Sequence, residues 1–301
     1  MSTIKELAEE LRFNDEIAEL VNVMKNIAVF HFYALQEKKD RSDKTSGEID
    51  GFFSMLDLKG ISHPYLKPRA EGTCVIVVTS DEGFMGGLNI RVADAALEAA
   101  GMENPVFTVI GAKGELYMRE RKKTFTRFSL KDIEGSGGKE SDAEKREKLA
   151  CRLKDHIVKG FGNGEFGKAV IFYPRPVSFM VQKVEGVSLL PLERGGASEF
   201  QSSVKREDGY ARFWGGDIIT ESPPDGIMEY LVEKMLIERI RGILVESKLS
   251  EFAARAIHLE KSKQKLEESQ KTARSRYFRV YRGVVDTNIR EVFSSQLIIK
   301  K

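Results

Sequence analysis

The stretch that decides the fold is VESKLSEFAARAIHLEKSKQKLEESQKTARSRYFRVYRGV, residues 245–284. Steps of four and three residues alternate along it, and ten of the twelve positions they mark are apolar. These positions are Val245, Leu249, Phe252, Ala256, Leu259, Lys263, Leu266, Gln270, Ala273, Tyr277, Val280 and Val284. A heptad pattern of this length is typical of a helix that supercoils and buries its seam against another helix.

The predicted helix begins well before this stretch. Pro223 and Pro224 predict its start, because proline is favoured in the first turn of a helix, and no proline follows them. Leu236, Ile240 and Ile243 continue the seam after a phase shift. The whole helix would be roughly 100 Å long at about 1.5 Å per residue, which exceeds the diameter of a small domain.

A partner for this helix is predicted at the other end of the chain. A helical pattern runs from Ile4 to about Gln36 and is followed by the polar residues Glu37 to Asp43. Its predicted seam consists of Phe13, Ile17, Leu20, Met24, Ile27, His31 and Ala34. An antiparallel pair of these two helices would leave part of the longer, C-terminal one unpaired.

Strand and helix signals alternate between the two long helices. Strands are predicted at Cys74–Thr79, Val106–Ile110, Thr124–Phe128, Ala169–Tyr173 and Val181–Leu192, and helices at Gly87–Ala100, Gly114–Arg121 and Ala143–Val158. This order predicts a mostly parallel α/β sheet. The expected fold is therefore α/β: a long antiparallel coiled coil of the N- and C-terminal helices plus an inserted Rossmann-like α/β domain. Its domains would span residues 1–45, 70–195 and 222–297.

Composition limits the function classes. The net charge of +2 argues against bulk attraction to nucleic acid or to an anionic membrane. No apolar run approaches the ~20 residues that cross a bilayer, so we expect no direct membrane insertion. The N-terminus is neither a signal peptide nor an Arg-rich transit sequence. Cys74 and Cys151 form no metal or disulfide pattern and are predicted to be reduced core thiols.

Two glycine-rich turns invite a phosphate-binding interpretation. Residues 80–89 (SDEGFMGGLN) follow a strand and open a helix, and GAKG at 111–114 follows the next strand. Neither matches a P-loop or the dinucleotide-binding fingerprint, so we interpret both as tight turns. His31, His63, His156 and His258 lack metal-ligand spacing, and no nucleophile has an identifiable base. We expect no catalytic residue, no cofactor and no metal.

Several of these motifs resemble one family, in order along the chain. VVTSDEGFMGGLNI (Val77 to Ile90) resembles V-x-S/T-D-x-G-x-x-G-G-L-N of the F-type ATP synthase gamma subunit. VIGAKG at 109–114, SLLPL at 188–192 and SEFAAR at 250–255 are similar to that family's I-G-x-K-G, L-L-P-L and S-E-x-x-A-R. Met24 and Ala28 resemble its M-x-x-V-A. Residues 257–265 and 279–288 depart from the family pattern, so the resemblance is to a divergent or alternate form.

The resemblance implies a central rotor shaft that couples ion-driven rotation to ATP synthesis or hydrolysis. The implied partners are three α and three β subunits, the epsilon subunit and the membrane c-ring. Partner contacts are implied at Met24, Arg255, Arg279, Arg282 and Asp286. The implied location is peripheral, on the cytoplasmic face of a bacterial plasma membrane, through the membrane sector.

Two other functions remain open at this point. The first is a coiled-coil adaptor with a Rossmann-like domain that is not part of a rotary ATPase. The second is an α/β enzyme that binds a nucleotide. The basic residues Lys271, Arg274, Arg276, Arg279 and Arg282 fit either a solvated helix face or a contact with an acidic partner surface.

Overall fold

The computed structural model describes residues 4–55, 65, 70–99, 101, 105–129, 141–191 and 224–299. Predictions for 192–195, 222–223 and His63 fall outside these residues. The contacts within the chain divide it into two units. The first unit combines the described residues up to Phe30 with those from Arg255 onward, and the second comprises those from His31 to Ala254.

The described residues include five α-helices and five strands. The helices are α1 (Ile4–Met55), α2 (Leu88–Ala99), α3 (Ala112–Glu120), α4 (Asp142–Gly162) and α5 (Pro224–Ile299). The strands are β1 (Thr73–Val78), β2 (Val106–Ile110), β3 (Phe125–Phe128), β4 (Lys168–Pro176) and β5 (Gln182–Leu190). The predicted strand and helix order is confirmed, and α5 begins at the predicted Pro224.

The sheet belongs to the second unit and has the strand order β3-β2-β1-β4-β5. Strands β1, β2, β3 and β4 pair in parallel, and only β4 and β5 pair in antiparallel fashion. The connections between parallel strands run through helices, as the alternating sequence pattern predicted. The mixed α/β fold with a mainly parallel sheet is therefore confirmed.

Both faces of the central strand β1 are buried, which explains why TCVIVV reads as a continuous apolar run. Val75 and Val77 point to the side where α2 packs. Cys74, Ile76 and Val78 point to the opposite side, in one core cluster with residues of α4 and of the first part of α5. The α5 residues in that cluster are Val232, Leu236, Ile240, Ile243 and Leu244. The first turns of α5 are thus a layer of the α/β core, so the prediction that Leu236, Ile240 and Ile243 continue the coiled-coil seam is wrong.

The predicted end of the N-terminal helix is wrong. We expected the helix to stop at about Gln36, before the polar residues that follow, whereas α1 continues to Met55. Residues 36–41 (QEKKDR) are polar, yet glutamine, glutamate, lysine and arginine all have high helix propensity. Helix α1 also continues through Gly47 and Gly51, so neither the polar residues nor these two glycines end it.

Candidate functional site

Helices α1 and α5 pair in antiparallel fashion within the first unit. Lys25 Nζ donates to Glu260 Oε2 at 2.9 Å, and Lys263 Nζ donates to Asn22 Oδ1 at 3.3 Å. Further along, Gln270 Nε2 donates to Asp15 Oδ1 at 2.8 Å. Residue numbers fall on α1 as they rise on α5, so the predicted antiparallel coiled coil is confirmed.

In this unit the predicted seam of α5 faces α1 as far as Tyr277, whereas its last two members, Val280 and Val284, are 37% and 42% exposed. Ala256, Leu259 and Ala273 are buried. Leu266 and Tyr277 are half-buried. The two polar positions of the seam, Lys263 and Gln270, are those that hydrogen-bond to α1. A polar residue at a seam position fixes register, because a slipped pairing would leave it without its partner.

The predicted seam of α1 is wrong in its choice of face. Three of its members are more than half exposed: Phe13 at 62%, Leu20 at 55% and Ile27 at 52%. The side chains that turn inward instead lie between Ile4 and Ala28 and follow another heptad stripe. This inner stripe consists of Ile4, Leu7, Leu11, Asn14, Ala18, Val21, Lys25 and Ala28. Helix α1 therefore carries two heptad stripes, and the one with the larger apolar side chains does not face α5.

We call the second one the outer stripe, and it consists of Phe13, Leu20, Val23, Ile27 and Phe30. These side chains are between 48% and 69% exposed. An isolated exposed leucine is ordinary, but large apolar residues aligned along one helix face are typical of an interaction surface.

The end of α5 carries a second exposed apolar surface. Six large apolar side chains of α5 that follow Tyr277 are between 42% and 63% exposed: Phe278, Tyr281, Val284, Ile289, Val292 and Phe293. Tyr277 stacks on Tyr281, with ring centroids 6.0 Å apart. The described part of α1 begins at Ile4, so this stretch of α5 extends past the paired region, as the difference in helix length predicted.

The five implied contact residues all belong to the first unit, but they do not form one cluster. Arg279, Arg282 and Asp286 are exposed on the last part of α5. Met24 is half-buried on α1, between the residues that bond to Glu260 and Lys263. Arg255 is 7% exposed. Glu260, which bonds to α1 next to Met24, lies 19 positions before Arg279 on α5, or roughly 28 Å along the helix. Met24 is therefore far from the three exposed residues at the end of α5.

The two glycine-rich turns interlock in the second unit. The Thr79 hydroxyl donates to the Ile110 carbonyl at 2.7 Å and accepts from the Gly114 backbone N–H at 2.9 Å. Asp81 Oδ1 accepts from the Ala112 N–H at 2.9 Å, at the start of α3. A carboxylate of the chain itself therefore occupies the helix N-terminus where an anion would bind. This arrangement supports the tight-turn interpretation over phosphate binding.

Three polar side chains lie next to one another in the core: Cys74 of β1, Thr108 of β2 and His156 of α4. Burial raises the pKa of the Cys74 thiol to about 11, so this thiol is protonated and unreactive at neutral pH. The Thr108 hydroxyl lies 3.7 Å from Cys74 Sγ and 3.3 Å from His156 Nε2. Within the described residues, no group of three or more His, Cys, Asp or Glu could hold a metal ion. Among the described helices, none combines the length and apolarity needed to cross a membrane.

Comparison with known proteins identifies the family of this chain. A family model described as ATP synthase matches residues 3–296, nearly the whole chain. The chain belongs to the ATP synthase gamma family. The ATP synthase gamma chain of Alkaliphilus metalliredigens is 27% identical, over 80% of this chain and 79% of that one. The gamma chain of Chlorobaculum parvum is 22% identical and aligns over the full length of both chains.

Solved structures show the same fold in this gamma family. The chain matches the rotor structure of Euglena gracilis mitochondrial ATP synthase with a TM-score of 0.62 at 16% identity, covering 94% of this chain and 98% of that one. The central stalk of the Tetrahymena thermophila mitochondrial enzyme matches with a TM-score of 0.54 over 81% of this chain and 99% of that one. As a gamma subunit, the chain is a peripheral component of the central rotor of ATP synthase.

Proposed function

We propose that this gamma-family chain is the shaft that couples ion-driven rotation to ATP synthesis or hydrolysis in a hexamer of three α and three β subunits. The observation that carries the proposal is the outer stripe of α1. A helix that is apolar on two faces requires two partners, and α5 covers only the inner stripe. The surrounding subunits would cover the outer stripe.

The last part of α5 supports the same proposal. Exposed aromatic and aliphatic side chains alternate there with Arg274, Arg276, Arg279 and Arg282. Aromatic residues and arginine are the side chains most enriched at protein interfaces. We propose that Arg279, Arg282 and Asp286, together with Met24 and Arg255, contact the hexamer. Their role is to bind partner surfaces, not to perform chemistry.

Coupling then follows from differential contacts. An asymmetric shaft presents different side chains to each of the three catalytic subunits, so each orientation stabilises a different set of subunit conformations. Rotation changes which subunit meets which face of the shaft and thereby changes nucleotide affinity at each catalytic site. The bound nucleotide and the catalytic groups would belong to the hexamer, and this chain would have no catalytic site.

The α/β domain is proposed to connect this shaft to the membrane sector. We assign residues 70–195 to that domain and residues 1–45 and 222–297 to the two long helices, of which α5 also lines the sheet core with its first turns. The solved structures that share this fold are rotor, OSCP/F1/c-ring and central stalk assemblies of ATP synthases. By analogy, the epsilon subunit and the c-ring would bind this chain. It would lie on the cytoplasmic face of a bacterial plasma membrane, held there by its partners.

Co-expression with the ATP synthase α and β subunits of the same organism, followed by purification, tests the proposal. The expected product contains three α chains, three β chains and one copy of this chain, and it hydrolyses ATP. A coiled-coil adaptor would not assemble in this ratio, and an α/β enzyme would instead show a thermal shift with ATP, NAD or FAD when alone. Either of those results would contradict the proposal.

A further inference from the structure

A buried carboxylate joins three elements in the second unit. Glu246 of α5 is 5% exposed. Its Oε1 accepts from Lys39 Nζ of α1 at 2.7 Å, and its Oε2 accepts from the Tyr173 hydroxyl of β4 at 3.0 Å. Each carboxylate oxygen thus binds a different element. We call Lys39, Tyr173 and Glu246 the Glu246 node.

The burial of the node strengthens these hydrogen bonds. Tyr173 is fully buried, and burial together with the nearby Glu246 charge raises the pKa of its hydroxyl far above the usual range. The hydroxyl therefore remains protonated and serves as a donor. An ionised carboxylate is costly to bury unless it is paired and hydrogen-bonded, which Lys39 and Tyr173 accomplish together. A charge-assisted hydrogen bond is shorter and stronger than a neutral one.

The apolar contacts around the node do not impose the same constraint. Ile243 and Leu244 of α5 pack in the core of the sheet, while Leu249 packs with Phe32 and Leu35 of α1. Apolar burial is non-directional, so a helix can turn or slide by a small amount without losing much buried area. The hydrogen bonds of Glu246 have narrow limits of distance and angle, so they fix the rotation of α5 against both β4 and α1.

We propose that the Glu246 node is the register lock that keeps both long helices from turning relative to the sheet while the rotor is under load. This inference rests on the proposed function, because load exists only in a rotary complex. Glu246 is then a positioning residue: it acts on coupling through the orientation of α5 and touches no nucleotide.

The chain supplies a matched control on the same two helices. Lys25 and Glu260 form the same kind of ion pair, at 2.9 Å, between α1 and α5. Their side chains are 23% and 43% exposed, compared with 25% and 6% for Lys39 and Glu246. The two pairs differ in exposure only at the carboxylate, and a carboxylate that remains solvated contributes less to stability, so Glu260→Met removes the same chemistry without leaving a buried node incomplete.

Hydrogen exchange on the purified full chain tests the fixation itself. Glu246→Met should raise the exchange rate of the β4 amides around Tyr173 by about tenfold, the change expected for losing a hydrogen bond to a charged group. Glu260→Met should leave the rates at β4 unchanged. Equal rates at β4 in the wild type and in Glu246→Met would overturn the inference, whether or not the chain assembles with other subunits.

The assembled complex in vesicles tests the consequence for coupling. We expect Glu246→Met to lower the number of ions pumped per ATP hydrolysed, whereas Glu260→Met pumps as the wild type does. A triple variant, Lys39→Met with Tyr173→Phe and Glu246→Met, replaces all polar groups of the node by apolar ones. Such replacements often preserve or increase stability. If Glu246→Met does not fold, the pumping of the triple variant therefore tests whether the node is needed for coupling.

The possible outcomes separate the two proposals. If the wild-type chain does not assemble with α and β subunits, the proposed function fails, and hydrogen exchange alone decides whether the node fixes α5. If the wild type assembles and couples, a folded triple variant with wild-type pumping overturns the register lock but leaves the shaft function intact. Reduced pumping with retained ATP hydrolysis in both node variants supports the lock.

Discussion

At the scale of single residues, the turns after β1 and β2 show that glycine is required at one position and not at another. Gly111 has φ 95°, in the left-handed region, and a Cβ there would meet the Thr79 carbonyl oxygen. Gly83, in the other turn, has no atom within 4 Å of the position of its Cβ. Two glycines in similar motifs therefore have different roles.

These glycines give a matched pair of substitutions. Gly111→Ala combines an unfavourable φ with a backbone clash and should destabilise the chain by about 3 kcal/mol or more. Gly83→Ala meets neither obstacle and should change the free energy of unfolding by less than about 1 kcal/mol. Urea unfolding of both variants measures the difference, and equal midpoints would show that the interlocked turns tolerate a side chain at Gly111.

His156 makes stability depend on pH. Burial lowers its pKa below the ordinary 6.5, so the neutral form is favoured in the folded chain. At pH values between the pKa of His156 in the folded chain and its pKa in the unfolded chain, the unfolded chain binds more protons. The contribution of His156 to stability is therefore fully present above about pH 6.5 and is lost as the pH falls below it. The wild type should lose more stability than His156→Gln between about pH 7.5 and about pH 5.5. His31→Gln, at an exposed position, controls for the loss of any one histidine.

The residues of the Glu246 node could not have been found from the sequence. Glu246 is 207 positions from Lys39 and 73 positions from Tyr173. Nothing local to any of the three predicts the contact, and the long-range pairing that creates it depends on the register of α1 against α5. The interlocked turns, by contrast, were predictable as turns because their glycines follow β-branched strands.

At the scale of elements, the sequence predicted α5 better than α1. Between Ala256 and Tyr277 the periodicity of α5 specified the buried face. The phase shift before Val245 separates this seam from the turns that pack in the sheet core. The predicted seam of α1 shares Phe13, Leu20 and Ile27 with the outer stripe, and these three side chains are exposed. The face that packs inward includes the polar residues Asn14 and Lys25. Periodicity reports that a face is apolar, but it does not identify the partner of that face.

The seam of α5 should set the stiffness of the coiled coil. Leu259 is 1% exposed and Leu266 is half-buried. Replacing both with serine removes apolar burial and should cost about 3–5 kcal/mol at Leu259 alone, so the two helices would separate more readily under torque. We expect a lower melting temperature and a lower torque in ATP-driven rotation. Unchanged torque would show that a stiff seam is not what transmits it.

At the scale of the whole molecule, a gamma-family chain must satisfy two requirements. It must hold its own helices together, and it must leave enough apolar and charged surface exposed to bind the subunits around it. The inner stripe and the polar seam positions meet the first requirement. The outer stripe and the exposed end of α5 meet the second, which explains why the face of α1 with the larger apolar side chains is the one left open.

Substitutions in the outer stripe separate these two requirements. Leu20→Ser with Ile27→Ser changes side chains that are 55% and 52% exposed, so the free energy of unfolding of the isolated chain should change by less than about 1 kcal/mol. The same change removes apolar surface that the hexamer would bury, so co-purification with α and β subunits should fall by about tenfold or more. The control, Leu7→Ser with Ala28→Ser, changes the inner stripe and should destabilise the chain before assembly. If the outer variant assembled as the wild type does, another surface of this chain would have to hold the hexamer.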